Sequence, residues 1–305
     1  MDTVRVCVPA STSNLGPGFD CIGLALSLYD EVTIEVRDGA GVDVHVMGPE
    51  ADRVRRGMDS LVVCGIRRLW DVLGRSLDGV RITQVHRIPV ARGLGSSGAA
   101  VLAGLAAANR LAGDRLSLDD LLDLAFELEG HPDNVTPALV GGLVVASGHD
   151  GHVEYVKLDV PPSLKVIVAV PDFELSTSSA RQILPDAVPF RTAVENVGHV
   201  ALLVAALSTG EWKRLRRATE DHLHQPYREP LIPGMRGVFR AALEAGAFGV
   251  AISGAGPSLL ALACEGESAI REAMEKAWRA SGVSSKTLVL DICRNGLYIE
   301  NQDKR

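Results

Sequence analysis

The stretch IPVARGLGSSGAAVLAGLAAANRL, residues 88–111, constrains this chain more than any other. Residues 97–111 are Ala-rich and apolar on nearly every side, so the helix they predict must be buried. Ahead of it stand Gly93, Gly95 and Gly98 around the paired Ser96 and Ser97. A helix N-terminus leaves free N–H groups and about half a positive charge. Glycines let the backbone come close to an anion. A buried helix with such a mouth is either a phosphate site or only a tight turn. Gly104, inside the helix, costs about 1 kcal/mol against Ala and predicts a second backbone lying close.

Three phosphate-binding plans compete for this loop. A Walker A loop is excluded, because no Lys-Ser or Lys-Thr follows the glycines. GLGSSG satisfies G-x-G-x-x-G, but a dinucleotide fold also needs an acid at a strand end about 20 residues on. Asp114, Asp119 and Asp120 fall instead in a loop and a helix start. The third plan keeps the helix mouth and drops the dinucleotide fold.

At 305 residues the chain has room for two domains or one large one, and its 47% hydrophobic and 23% charged content is that of a soluble globular protein. A net charge of −7 speaks against nucleic acid or an anionic membrane as partner, so any anion must be held by a local feature. Five scattered cysteines without C-x-x-C spacing suggest reduced thiols and a cytoplasmic setting. No signal-peptide pattern and no apolar run of about 18 residues is expected.

Strands are expected at 4–10, 29–36, 42–46 and 80–89, and helices at 60–74, 97–111 and 117–130. Ser117 with Asp120 predicts a capping box for the last of these. Strands at 139–148, 153–159 and 164–172 follow, then helices near 190–208, 211–224 and 235–245. Strands 249–254 and 258–264, a helix near 268–281 and strand 284–292 complete the chain. The β-α-β-β-α-β order of this half suits a ferredoxin-like split unit, with a boundary near residue 160.

PASTSNLGPGFDCIGLAL (9–26), PVARGLGSSGAAV (89–101) and SGAGPSLLAL (253–262) resemble the three motifs of the GHMP small-molecule kinases, in order and spacing. EGHPDNVTPALVGG (129–142) and HQPYREPLIPG (224–234) resemble the homoserine kinase branch. The resemblance implies an α+β, two-domain GHMP kinase fold. Its parts would be an N-terminal ribosomal-protein-S5-like α/β domain over 1–160, binding ATP, and a C-terminal ferredoxin-like α/β domain over 161–305. It implies ATP-dependent phosphorylation of L-homoserine to O-phospho-L-homoserine for threonine synthesis, and suggests a homodimer. Pro89, Val90, Ala91, Arg92, Gly93, Leu94, Gly95, Ser96, Ser97, Gly98 and Ala99 would be the ATP phosphate loop. Gly98 stands where the family usually has Ala, and it leaves every N–H donor in place.

ATP carries about four negative charges, which calls for Mg²⁺ with oxygen ligands. The resemblance assigns the ion to Ser97 and a carboxylate of the 117–129 helix, where Glu127 and Glu129 compete. At about 100° per residue, Leu118, Leu121, Leu122, Ala125 and Leu128 share a face, and Glu129 projects toward it. Glu127 falls with Asp120 and Asp123 on the solvent side. Glu129 is therefore the expected ligand.

Homoserine is a zwitterion, so its site needs an anion, cations, and amides or hydroxyls around the reacting oxygen. The resemblance implies Asn14 and Asp20 at the ammonium end, Arg181 and Arg228 on the carboxylate, Asn134 at the hydroxyl and Thr177 near the transferred phosphate. Plainer roles are a turn for Asn14, an N-cap for Asp20, an Asx turn for Asp133 and Asn134, and a solvated helix position for Arg181. No Ser-His-Asp arrangement is evident in the sequence. His131, His199, His222 and His224 are bases by type only, and the branch looks as though it uses no dedicated base. Two rival functions stay open: another small alcohol as acceptor, such as mevalonate or a sugar, and a non-catalytic ATP-binding relative.

Overall fold

The structure, a computed structural model, describes residues 3–39, 41–75 and 79–300; residues 1–2 and 301–305 of the two expected domains lie outside it. The first half runs β1 (Thr3–Asn14), β2 (Gly18–Val36), β3 (Val42–Met47), α1 (Leu61–Val72), β4 (Val80–Val85), α2 (Ser96–Leu111), α3 (Leu118–Glu129), α4 (Pro132–Val140), β5 (Leu143–His149) and β6 (His152–Leu158). The second runs β7 (Lys165–Pro171), α5 (Thr177–Gln182), α6 (Phe190–Thr209), α7 (Leu215–Ala218), α8 (Gln225–Arg228), α9 (Met235–Glu244), β8 (Gly249–Ile252), β9 (Leu259–Ala263), α10 (Glu267–Ala280), β10 (Ser285–Leu290) and β11 (Tyr298–Glu300).

The first sheet has the order β11-β1-β2-β4-β3, with β5 on β2 and β6 on β5. The last strand thus returns to the first sheet, Arg5 opposite Glu300. β1 and β2 extend well past the strands expected at 4–10 and 29–36. Their inner ends are rich in Ser, Thr and Gly, which do not read as strand, yet Ser11, Thr12 and Ser13 are buried in the hairpin. Its turn holds Asn14, Leu15 and Gly16 at positive φ, and a Cβ on Gly16 would lie 2.3 Å from Thr219 O.

Helix α2 is buried along nearly its whole length, as its composition requires. Gly104 meets the expected backbone: a Cβ there would lie 2.1 Å from Val62 O, and one on Gly65 2.4 Å from Val101 O. α1 and α2 therefore cross at a pair of glycines.

The second sheet is antiparallel with order β10-β7-β9-β8, which is the order a split β-α-β-β-α-β unit produces. β7 is apolar on both faces. Val166 and Val168 join the core of the first half, while Ile167 and Ala169 pack with Val238, Met274 and Trp278 from α9 and α10. This period of two welds both layers through one strand.

Two expectations fail locally. Residues 139–142 are not strand: α4 occupies 132–140, with Pro132 in its first turn. Residues 211–224 are not one helix, because the Asp221 carboxylate accepts the backbone N–H groups of Leu223, His224 and Gln225 at 2.9, 3.0 and 2.6 Å. Those bonds shape the turn between α7, which ends at Ala218, and α8. Helix α6 is 20 residues long and by length and composition alone could cross a membrane, but Arg191, Glu195, Asn196 and His199 interrupt it, so it is not an unbroken apolar run. Its inner face carries buried Asn196 and His199, and Asn196 Nδ2–H donates to Pro17 O at 2.9 Å.

Candidate active site

The glycine-rich loop of residues 89–99 is built where three distant segments meet. Ser11 N–H donates to Leu94 O at 3.2 Å, Ser253 Oγ–H to Gly93 O at 2.6 Å, and Gly254 N–H to Ser13 O at 3.1 Å. Thr12 Oγ and Ser253 Oγ share a hydrogen bond of 2.8 Å. The loop glycines are forced by this crowding. A Cβ on Gly93 would sit 2.0 Å from Ser253 O, and one on Gly95 2.1 Å from Ser11 Oγ, and both residues have positive φ. The first helical bond of α2 is Ala99 N–H to Gly95 O at 2.9 Å. The amides of Ser96, Ser97 and Gly98 therefore have no helical acceptor.

This helix mouth lines a cleft of about 360 Å³, within the range of small-molecule sites. The side chains lining the cleft divide by chemistry into two sets, or arms: a largely uncharged one of Val54, Ser60, Leu61, Gln84, His86 and Val90, and a charged one that includes Asn14, Asp20, Asp133, Asn134, Arg181 and Arg228. Thr177, at the start of α5, stands at the rim. Arg92 lies in the loop, but its guanidinium is turned into the protein, donating to Val90 O, Pro171 O and Asp172 O at 2.7, 3.0 and 3.1 Å. Only its backbone is left for a ligand.

Glu129 ends α3 beside the loop, accepting from Ser97 Oγ–H at 2.5 Å. Glu127 is on the outside, paired with Arg68 at 2.7 Å. The face that orients Glu129 is narrower than the sequence suggested, because Leu118 and Leu128 are exposed and only Leu121, Leu122 and Ala125 are buried. Glu129 still follows Leu122 and Ala125 at helical spacing. Burial pushes its carboxyl pKa up, against the Ser97 hydrogen bond that lowers it. A half-desolvated carboxylate beside a hydroxyl is a hard-oxygen pair whose charge a cation would offset. No cluster of three His, Cys, Asp or Glu exists among the described residues. The pair therefore suits an ion that keeps water and phosphate oxygens, as Mg²⁺ does.

In the other arm, Arg181 Nη2 and Nη1 donate to the two Asp20 oxygens at 2.6 and 2.9 Å. Arg228 is 1% exposed, and donates to Ala180 O at 3.1 Å and Gly254 O at 3.2 Å. Burial, then the charge of Arg181, lower its pKa to about 10. Phe19 lies between the two guanidinium groups, 5.3 Å from each. Sequence reasoning passed over it, although an aromatic in GPGFD is conspicuous in a chain only 4% aromatic. Both ends of the Asn14 carboxamide are engaged, Nδ2–H on Gly254 O at 2.8 Å and Oδ1 by Asp20 N–H at 3.0 Å. Asn134 opens α4 and donates to Ser13 Oγ at 2.9 Å, while Ser11 Oγ–H donates to its Oδ1 at 3.0 Å.

The histidines separate by surroundings. His224 is buried, its Nε2–H donating to Gly16 O at 2.7 Å and its Nδ1 accepting from Arg228 at 3.1 Å. His199 Nδ1–H donates to Glu220 O at 2.8 Å, and its ring stacks near that of His222. His131 lines the cleft. Burial opposes charge on it, but Asp133 outweighs burial and moves its pKa up. Its Nδ1 lies 3.3 Å from Asp133 Oδ1, in imperfect hydrogen-bond alignment.

Family models for the GHMP kinases match at both ends of this architecture, the N-terminal domain over residues 60–142 and the C-terminal domain over residues 203–281. The homoserine kinase of Carboxydothermus hydrogenoformans is 46% identical over 285 residues, 93% of each chain. That of Synechococcus sp. is 44% identical over 301 residues, 98% of each. The chain belongs to the homoserine kinase family. A solved homoserine kinase from Cytophaga hutchinsonii matches with TM-score 0.89 and 35% identity, covering 98% of each chain. The L. major mevalonate kinase, at 19% identity and TM-score 0.71, shares the fold. Membership of this family accounts for the α+β architecture, with the glycine-rich loop of residues 89–99 where the two sheets meet.

Proposed function

We propose that this protein transfers the γ-phosphoryl group of ATP to the side-chain hydroxyl of L-homoserine, giving O-phospho-L-homoserine and ADP. The observation that carries this is the pairing, on one cleft, of a helix mouth with free main-chain amides and an arm that holds the carboxylates of Asp20 and Asp133 and the guanidinium groups of Arg181 and Arg228. That charge set is complementary to an amino acid, whereas mevalonate or a neutral sugar has no ammonium for Asp20.

In this reading residues 89–99 hold the triphosphate through backbone N–H groups. Ser97 and Glu129 hold Mg²⁺, which supplies charge neutralisation when bound. Asp20 takes the substrate ammonium, while Arg181 and Arg228 take its carboxylate. In the free protein Asp20 and Arg181 neutralise each other, so the zwitterion exchanges one ion pair for two. Asn134 orients the hydroxyl, Thr177 faces the transferred group, and Asn14 acts mainly by fixing Asp20. Phosphoryl transfer asks for positioning and charge stabilisation above all. The hydroxyl proton can leave late, and no histidine need serve as base. We propose the division into domains near residue 160, between β6 and β7. The setting proposed with it is a cytoplasmic homodimer with free cysteines.

The test is an acceptor panel of homoserine, mevalonate and a sugar with coupled ADP detection. ADP release that requires both homoserine and Mg²⁺ is the expected outcome. Turnover of mevalonate with none of homoserine overturns the substrate, and ATP binding without any turnover favours a non-catalytic relative.

A further inference from the structure

Behind the phosphate loop lies a buried ionisable pair that takes no part in the chemistry above. The side chains of Asp30 on β2 and His86 just after β4 are 6% and 4% exposed. Asp30 Oδ1 accepts the backbone N–H groups of Arg87 at 2.6 Å and Ile88 at 2.9 Å. Its Oδ2 lies 2.5 Å from His86 Nδ1. An acceptor so placed puts the ring proton on Nδ1 and leaves Nε2 as a lone pair. Ser96 Oγ is 3.2 Å from that Nε2. The chain therefore reads Asp30, then Nδ1–H, then Nε2 accepting from the Ser96 hydroxyl. Ser96 is the first residue of α2 and lines the cleft.

Residues 86–88 enter the phosphate loop and Ser96 leaves it. One carboxylate grips the entrance directly and the exit through one imidazole. We infer that His86, oriented by Asp30, is a positioning residue for ATP: it fixes the Ser96 hydroxyl and so holds the helix mouth in its anion-binding geometry. The inference rests on the assignment of residues 89–99 to ATP. A hydroxyl turned toward His86 keeps its proton away from the cleft and holds the first turn of α2 at one rotamer. The free amides of Ser96, Ser97 and Gly98 are then arranged before the ligand arrives, which lowers the ordering cost of binding.

Asp30→Asn separates this role from simple bracing. The amide oxygen can keep both backbone bonds, while the amide nitrogen now donates to Nδ1 and forces the other tautomer. Nε2 then carries the proton and donates to Ser96 Oγ instead of accepting from it, which turns the hydroxyl proton toward the cleft, as a carboxylate-to-amide change reverses the tautomer behind other paired histidines. The probe is adenylyl imidodiphosphate with Mg²⁺, its dissociation constant read by calorimetry on the full chain without acceptor. Asp30→Asn and Ser96→Ala should each weaken binding about tenfold, with homoserine KM within twofold of the parent. The double variant should be no weaker than either single one, because both changes break the same link. Multiplying effects, unchanged binding in Asp30→Asn, or an equal rise in homoserine KM overturns the inference. If Asp30→Asn does not fold, His86→Gln with Ser96→Ala runs the same cycle under the same criteria. Because no acceptor is present, an unaltered protein that binds the analogue but ignores homoserine would sink the substrate assignment alone. One that does not bind the analogue would sink both.

Discussion

In the proposed reading, the two arms of the cleft recognise charge by opposite means. At the phosphate arm the donors are main-chain amides, which have no titration and need only glycine and a helix start to be exposed. At the acceptor arm the groups are long side chains from three separate elements, and their charges must be compensated within the fold. Asp20 and Arg181 pair with each other at 2.6 Å, and Arg228 is buried against carbonyls and the Phe19 face. The first arm is therefore organised by chain path, the second by mutual charge. Losing a group should show itself differently on each side.

The largest effect is expected at the phosphate arm. Glu129→Gln should lower kcat by at least about a hundredfold, roughly 3 kcal/mol of transition-state stabilisation, measured in a coupled ADP assay. Glu127→Gln should stay within about twofold, since Glu127 is a surface partner of Arg68. The Gln variant should nevertheless melt no lower at neutral pH. Burial raises the Glu129 pKa, so the folded state binds its proton more tightly than the unfolded chain. Stability from that group is present at low pH and lost as pH rises from the ordinary carboxylate value through the raised one. Removing the charge removes that loss. A variant that loses both activity and melting temperature would show Glu129 to be a brace.

Next comes the acceptor arm. Arg228→Ala should raise the homoserine KM about tenfold or more while ATP KM changes little, because a ground-state contact is removed. It should also lower stability by about 1–3 kcal/mol, since Ala180 O and Gly254 O lose a buried donor. Equal rises in both KM values would erase the distinction between the arms.

That distinction also explains what the sequence could reveal. The glycine turn and the buried helix behind it were legible because their causes are local: glycines, two serines and an apolar run within residues 88–111. Gly104 could be read as a close approach for the same reason. The interlocking of residues 11–13, 93–94 and 253–254 was not legible in local pattern, because its hydrogen bonds join residues far apart in the chain. The long β1–β2 hairpin was truncated in the sequence reading, since buried Ser and Thr carry no apolar alternation. Helix α4 was missed because Asp133 and Asn134 read as an Asx turn and residues from 139 on as strand, although Pro132 sits in the first turn, where its missing N–H is harmless. The Asp30–His86–Ser96 chain has no signature in spacing at all. It depends on β2 and β4 being neighbours.

A smaller effect should follow pH. In the free protein a raised Glu129 pKa means protonation persists above the ordinary carboxylate range. Affinity for the Mg²⁺ nucleotide should therefore fall by a few-fold as pH drops from neutrality toward that range, and homoserine binding to the arginine arm should fall less. The slope should vanish in Glu129→Gln. If it persists there, the titrating group belongs elsewhere in the cleft.

The smallest effect is the sharpest check on main-chain recognition. Gly98→Ala restores the side chain the family usually carries. Alanine favours the helix by up to about 1 kcal/mol, but its Cβ would meet Val135 Cγ1 at 3.0 Å, and Val135 is fully buried. The two terms oppose each other, so the melting midpoint should move by no more than about 0.5 kcal/mol equivalent. ATP KM should stay within about twofold, because no N–H is lost and φ at this position is already helical. A change beyond fivefold would mean that side-chain bulk, and not the row of amides, sets phosphate affinity, and the contrast between the two arms would fall with it.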